Sequence, residues 1–329
     1  MVQTVEPRTL ETLEVKEAAE SMLENVNRVI VGKTEAIRLV LAALLCEGHV
    51  LIEDVPGVGK TLLAKALALS FGCRFRRIQC TPDLLPSDVT GISYFNQKTC
   101  VFEFRPGPIL SNIVLVDEIN RAMPRTQSAL LECMQERQVT VDAETLPLPR
   151  HFMILATQNP IEMEGTFPLP EAQLDRFLLR VSLGYPDPAE EEAILSRFHG
   201  SDPLGDLRAV SGPERAMELQ ARCRRVFVEP SVRKYISDLT RATRAHERIR
   251  LGASPRASLG LYMACQARAA ISGRGFVLPD DVKALAVPVL AHRLLLKTEA
   301  RMKGQRAEDI VAEILSSLPV QVEETGKGP

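Results

Sequence analysis

Asp54-Val55-Pro56-Gly57-Val58-Gly59-Lys60-Thr61 stands between the apolar run Val50-Leu51-Ile52 and the helix-favouring stretch Leu62-Leu63-Ala64-Lys65-Ala66-Leu67-Ala68. The order strand, glycine-bearing turn, helix start places backbone N–H groups and a helix N-terminus around one point, which is how a protein cradles phosphates. In such a loop Lys60 reaches the β- and γ-phosphates and the Thr61 hydroxyl ligates Mg²⁺. The usual pattern G-x-x-x-x-G-K-[ST] has glycine where this chain has Asp54. Gly57 and Gly59 still supply the backbone freedom that the loop needs, and aspartate tolerates turn geometry well. The bland alternative is an ordinary glycine-rich strand-to-helix turn.

A second segment argues against that alternative. Ile113-Val114-Leu115-Val116 is a short β-branched run typical of a strand buried on both faces of a parallel sheet, and it ends in Asp117-Glu118. Carboxylates at the carboxyl end of such a strand lie where open α/β sheets bind ligands. Asp117 would hold the Mg²⁺ shell and Glu118 would accept a proton from attacking water. Two surface acids after a core strand would account for neither the apolar run nor its order after the lysine loop.

The 329 residues exceed the usual single-core size, so two domains are expected. Hydrophobic residues at 45% and charged residues at 25% are the balance of a globular protein, and a net charge of −2 exerts no global pull on nucleic acid or anionic membrane. Seven cysteines occur without a C-x-x-C pair, which predicts reduced thiols and no zinc or disulfide framework. With no leader-like start and no membrane-length apolar run, the expected location is the cytoplasm.

Helical patterns over about 6–27 and 34–46 precede five short apolar stretches, His49–Glu53, Arg74–Gln79, Ile113–Val116, Phe152–Thr157 and Phe177–Leu183. Strands alternating with helices predict an α/β fold with a parallel sheet covered on both faces. Two additional hairpins are expected at about 91–105 and 138–148, for substrate contact or for bracing neighbouring subunits. After Tyr185-Pro186-Asp187-Pro188 the strand signal stops. Candidate helices follow near 189–198, 212–222, 230–248, 255–271, 279–296 and 306–318, several opened by a capping residue and proline. The expected organisation is a nucleotide-binding core over 1–185, an all-helical domain over 186–318 and a disordered tail over 319–329.

Ala156-Thr157-Gln158-Asn159-Pro160 ends the fourth strand with an amide that can orient water against a γ-phosphate or simply cap the strand. Leu169–Phe177 delivers Arg176 before the fifth strand, and Gly252-Ala253-Ser254-Pro255-Arg256-Ala257 delivers Arg256 at a helix start. With these segments, the chain over nearly its whole length resembles the MoxR family of AAA+ ATPases. The combination of Val55–Thr61, Asp117-Glu118-Ile119-Asn120-Arg121, Ala156–Pro160, Leu169–Phe177 and Ser254-Pro255-Arg256-Ala257 carries that resemblance.

The resemblance implies a P-loop αβα core with sheet order 5-1-4-3-2, a helical lid, and ATP and Mg²⁺ as cofactors. It implies that Asn159 looks like sensor 1, Arg176 like an arginine finger and Arg256 like sensor 2. Pro56, Gly57, Val58, Gly59, Lys60, Thr61 and Leu62 would wrap the phosphates, and Val31 and Gly32 lie where the family usually cradles adenine. Each has a rival role: Val31 and Gly32 as plain core, Arg176 bound to an acid of its own subunit, Arg256 paired with a lid carboxylate. Tyr94 and Phe95 either grip a polypeptide in a central pore or pack within their hairpin or between subunits.

For function, the resemblance implies a homo-oligomeric ring, a hexamer, that remodels or matures client complexes, including metal-cofactor insertion, beside a partner bearing a von Willebrand factor A domain. Three other classes compete. A nucleic-acid motor would use the arginines Arg222, Arg224, Arg225, Arg241, Arg244, Arg248 and Arg250. A chelatase-type subunit shares the core motifs but would need an integrin-like metal site that this chain lacks. A nucleotide-binding module without turnover would have no need of Glu118.

Overall fold

Alternation of side chains along the inner strands divides the core into two apolar layers. Val50 and Ile52 face one layer and Leu51 the other; Ile113 and Leu115 join the first, and Val114 and Val116 the second. A strand with both faces covered needs no polar alternation, which is why Ile113–Asp117 is buried along its whole length. The computed structural model describes residues 6–142, 144–160, 165–200 and 202–319. The tail beyond Pro319 lies outside the described residues.

The strands are β1 (Val50–Glu53), β2 (Phe75–Gln79), β3 (Gly91–Asn96), β4 (Val101–Pro106), β5 (Ile113–Asp117), β6 (Gln138–Val141), β7 (Glu144–Pro147), β8 (Met153–Gln158), β9 (Leu179–Val181), β10 (Ile249–Leu251) and β11 (Leu295–Leu296). Five of them form a parallel sheet in the order β2-β5-β8-β1-β9. Counting only these strands along the chain, the order is 5-1-4-3-2, as expected. The two antiparallel hairpins β3–β4 and β6–β7 stand outside the sheet.

The core helices are α1 (Glu6–Asn27), α2 (Thr34–Leu45), α3 (Lys60–Ser70), α4 (Pro86–Thr90), α5 (Pro124–Glu136) and α6 (Glu171–Leu174). The lid contributes α7 (Pro188–Arg197), α8 (Pro213–Cys223), α9 (Pro230–Ala245), α10 (Pro255–Ile271), α11 (Pro279–Leu290), α12 (Thr298–Met302) and α13 (Ala307–Ser317). Two lid helices start on well-formed caps: Asp187 accepts from the Glu190 N–H at 2.8 Å, and Ser254 caps α10 through the Ala257 N–H.

The lid is helical apart from a short strand pair and a parallel bridge between Phe227 and Phe276. The helix expected through Leu296 stops at Leu290, and β11 pairs antiparallel with β10. Between them the chain turns at Ala291–Arg293, which brings His292 and Arg293 back to the Phe177 carbonyl of the core.

Core and lid share one continuous apolar layer, in which Val50 and Leu179 of the sheet join Leu261 of α10 and Leu285 of α11. Leu178 sits between two glycines that permit this approach. A Cβ at Gly48 would lie 2.4 Å from Leu178 Cδ2, and one at Gly260 would lie 3.0 Å from Leu178 Cδ1. Arg180 of β9 adds an ion pair to Glu53 at 2.7 Å and a second to Glu308 of α13.

Candidate active site at the carboxyl edge of the sheet

β1 delivers the chain to Asp54, which is buried, with 6% of its surface exposed. Asp54 Oδ2 accepts from the N–H groups of Leu183 (2.6 Å) and Gly184 (2.7 Å) and from Ser182 Oγ (3.0 Å), while Oδ1 accepts from the Val55 N–H (2.9 Å). The residue that departs from the usual glycine therefore ties the base of the loop to the segment after β9. Gly57 and Gly59 hold φ at +85° and +91°, and open space surrounds the place where a Cβ would stand on each. Gly59 opens α3, and Lys60 Nζ donates to the carbonyls of Asp54 (2.8 Å) and Val55 (3.2 Å).

A cavity of about 420 Å³ gathers Pro56, Gly57, Gly59, Lys60, Thr61, Leu62, Arg77, Asp117, Glu118 and Asn159. Asp117 Oδ1 accepts from Thr157 Oγ1 at 2.5 Å, and Oδ2 from Arg77 Nη2 at 2.6 Å. Glu118 adopts a left-handed backbone, φ 56° and ψ 52°, a conformation costing roughly 1–3 kcal/mol for a residue other than glycine. Its N–H donates to Thr157 Oγ1 (2.9 Å), and its carboxylate meets Gln79 Nε2 (3.2 Å) and Arg121 Nε (3.0 Å).

The Thr61 hydroxyl and the Asp117 carboxylate are hard oxygen donors of the kind Mg²⁺ takes, with phosphate and water completing its shell. With the open glycine cradle and the Lys60 ammonium beside them, these residues fit a Mg²⁺–nucleoside triphosphate.

Other expected site residues do not line this cavity. Val58 packs into the sheet-face core and does not line the cavity, nor do Val31 and Gly32. Gly32, at φ +74°, abuts the start of α7, where a Cβ would collide with Glu190; the next residue, Lys33, pairs with Glu190 at 2.8 Å. Arg176 and Arg256 line a second cavity of about 270 Å³ together with His49, Gly48 and Arg293. That cavity opens at the amino edge of the sheet: His49 precedes β1, and its carbonyl accepts from the Leu178 N–H just before β9. The phosphate loop follows β1, so the four residues of that strand, about 13 Å at 3.3 Å per residue, separate the two edges.

Sequence reasoning missed Arg77, Gln79 and Thr157 as site residues. The sheet register carried the signal for Gln79, which pairs with Asp117 across β2 and β5. It missed Arg293 as well, which reaches the core only through the turn after α11.

The parallel sheet, phosphate loop and strand-end acids define a AAA+ P-loop ATPase fold with a lid. Family patterns agree: the ATPase family associated with various cellular activities matches residues 49–179, and the AAA lid domain matches residues 241–314. The chain is 52% identical to protein YeaC of Bacillus subtilis, over 92% of this chain and 94% of that one. It is 41% identical to Chaperone MoxR1 of Mycobacterium tuberculosis, over 91% of this chain and 81% of the relative. A crystal structure of a Cytophaga hutchinsonii protein matches with a TM-score of 0.89 at 38% identity, covering 95% of this chain and 97% of the other. The chain belongs to the MoxR family of AAA+ ATPases.

Proposed function

We propose that the protein hydrolyses ATP at the junctions of a homo-oligomeric ring, a hexamer, and uses the resulting movement to remodel partner proteins. The observation that carries this reading is the opposition of two edges. Lys60, Thr61, Asp117, Glu118 and Asn159 face the carboxyl edge of the sheet, while Arg176 and Arg256 face the amino edge. A subunit so built keeps the two arginines apart from its own phosphate loop, which supports their use at a neighbour's nucleotide. Head-to-tail packing of identical subunits satisfies both edges at once and closes into a ring.

In that junction Lys60 and the loop N–H groups hold the β- and γ-phosphates. Mg²⁺, held through Thr61 and Asp117, would neutralise charge on the same oxygens. Glu118 takes the proton of a water that attacks the γ-phosphorus, Asn159 orients that water, and the bond from the γ-phosphorus to the bridging oxygen breaks, leaving ADP and phosphate. Arg176 of the next subunit offsets charge developing on the γ-phosphoryl, and Arg256 joins it. Such arginines contribute on the order of 10³–10⁵ in rate in well-studied NTPases.

A chaperone role is supported by the relative named Chaperone MoxR1. Maturation of client complexes, including metal insertion, and a partner with a von Willebrand factor A domain belong to the same reading, as does residence in the cytoplasm. Among the described residues no helix is long and apolar enough to cross a membrane.

The arginines that a nucleic-acid motor would use are largely committed inside the chain. Arg222 pairs with Glu14, Arg224 with Glu47 (2.7 Å), Arg225 with Glu11 (2.9 Å) and Arg248 with Glu313. The pore-gripping candidates are engaged as well: Tyr94 Oη donates to Glu103 (2.9 Å), and the Phe95 and Phe102 rings meet edge to face at 5.4 Å. Specific ATPase activity measured across a dilution series tests the reading. It should collapse where sizing shows isolated subunits; full activity of isolated subunits would defeat it.

A further inference from the structure

Two guanidiniums aimed at one neighbouring nucleotide have to arrive together, and they come from different domains. Arg176 sits at the end of a core segment, and Arg256 sits at the first turn of a lid helix. Beside them is a polar cluster, half-buried at Asp175 and Ser254 and buried at Arg293. Asp175, next to Arg176, accepts from Ser254 Oγ with both carboxylate oxygens (3.1 and 2.9 Å), and Ser254 is the cap of the helix that carries Arg256.

Behind this pair, the Arg293 side chain is only 3% exposed. Arg293 Nη2 donates to the Phe177 carbonyl at 2.6 Å, on the other side of Arg176, and Nη1 lies 3.4 Å from Asp175 Oδ1. His292 Nε2 meets the same Phe177 carbonyl at 3.1 Å. The residues on both flanks of Arg176 are thus held by the lid.

We infer that Asp175, Ser254 and Arg293 form a latch that sets Arg176 and Arg256 as one rigid unit, so that both are offered to, or withdrawn from, the neighbouring subunit's nucleotide in a single lid movement. This rests on the proposed hydrolysis at subunit junctions. Arg293 is a positioning residue: it lies behind the two arginines and acts through the backbone of Arg176. A buried guanidinium stays charged here because an acid and a carbonyl meet it; burial pulls its pKa down to about 10, and Asp175 opposes that pull.

The test is subunit mixing with Arg293→Met and, as a smaller change, Asp175→Asn. Each variant alone should lose roughly 10–100-fold in ATP turnover, the effect of misplacing a catalytic group by about 1 Å. Binding of a fluorescent ADP analogue should stay as in the unaltered protein, because the variant subunit's own loop is intact. Mixed one to one with Glu118→Gln subunits, turnover should rise toward about a quarter of the unaltered rate, the share of junctions in a randomly mixed ring that pair an intact acceptor with an intact donor. Mixed with Arg176→Ala subunits, it should not rise, because both variants damage the donor edge. The opposite pattern, rescue by Arg176→Ala and none by Glu118→Gln, would overturn the latch by placing Arg293 at its own subunit's nucleotide. Unaltered turnover of Asp175→Asn would overturn it too. Arg176→Ala mixed with Glu118→Gln serves as control: failure of that pair alone would strike the junction reading rather than the latch.

Discussion

Arg77 Nη2 lies 2.6 Å from Asp117 Oδ2, so the acid assigned to Mg²⁺ already carries a cation from the adjacent strand. Thr157 occupies the other oxygen at 2.5 Å. A metal ion drawing on this carboxylate competes with the guanidinium for the same charge. Arg77→Gln should therefore tighten Mn²⁺ binding to the nucleotide-free protein several-fold and lower the Mg²⁺ concentration for half-maximal turnover. Unchanged metal affinity would show that Arg77 does not compete.

Asp54 carries a second prediction. Asp54→Gly restores the usual loop pattern but removes the acceptor of the Leu183 and Gly184 N–H groups. Leaving buried donors unpaired costs about 1–3 kcal/mol each. Thermal unfolding should show Asp54→Gly clearly less stable than the parent, with Asp54→Asn in between, since its amide keeps one acceptor oxygen. A glycine variant as stable as the parent would refute this account of the departure.

Glu118→Gln should bind ATP with near-native affinity and lose roughly 10²–10⁴ in turnover, the usual contribution of a general base. The left-handed backbone at this position also predicts that Glu118→Gly raises stability while abolishing turnover, because glycine relieves the strain. A chemical-denaturation midpoint unmoved or lowered in the glycine variant would argue against stored strain at the base.

Acid sensitivity follows from three buried histidines. Burial lowers the pKa of His49 to about 4, and lowers those of His151 and His292 as well. His49 Nδ1 accepts from the Ile154 N–H (3.0 Å), so its neutral Nε2–H tautomer faces the Met134 carbonyl (3.2 Å). With the folded pKa depressed, the unfolded chain binds more protons below pH 6.5. Stability is full above that pH and falls as pH drops toward 4, by about 1.4 kcal/mol per pH unit from His49, with His151 and His292 adding in the same direction. Urea midpoints between pH 7 and pH 4.5 should decline, and His49→Gln should flatten part of the slope. A flat profile would contradict it.

The inner strands of the parallel sheet could be read because β1, β5 and β8 are short apolar runs that end at a polar residue. Ile113–Val116 followed by Asp117 is the plainest case, and the structure extends the strand through that aspartate. The fifth strand is shorter than its apolar run suggests: β9 spans only Leu179–Val181, and the Phe177 carbonyl just before it is taken by Arg293 of the lid. Arg77 and Arg293 were illegible for another reason. An arginine in a strand or after a helix gains meaning only from what the register or a turn sets beside it. Gly32 was read from family position, and its contact with Glu190 of α7 could not be read from the sequence at all.

The central claim is that one subunit's phosphate loop works with its neighbour's Arg176. Mixing Lys60→Ala subunits with Arg176→Ala subunits measures this most directly, because each kind is inactive alone and damages a different edge. The account predicts that ATP turnover appears on mixing, in proportion to junctions where an intact Lys60 meets an intact Arg176. Mixed rings that form yet stay silent, or Arg176→Ala rings that hydrolyse ATP at the parent rate, would contradict it.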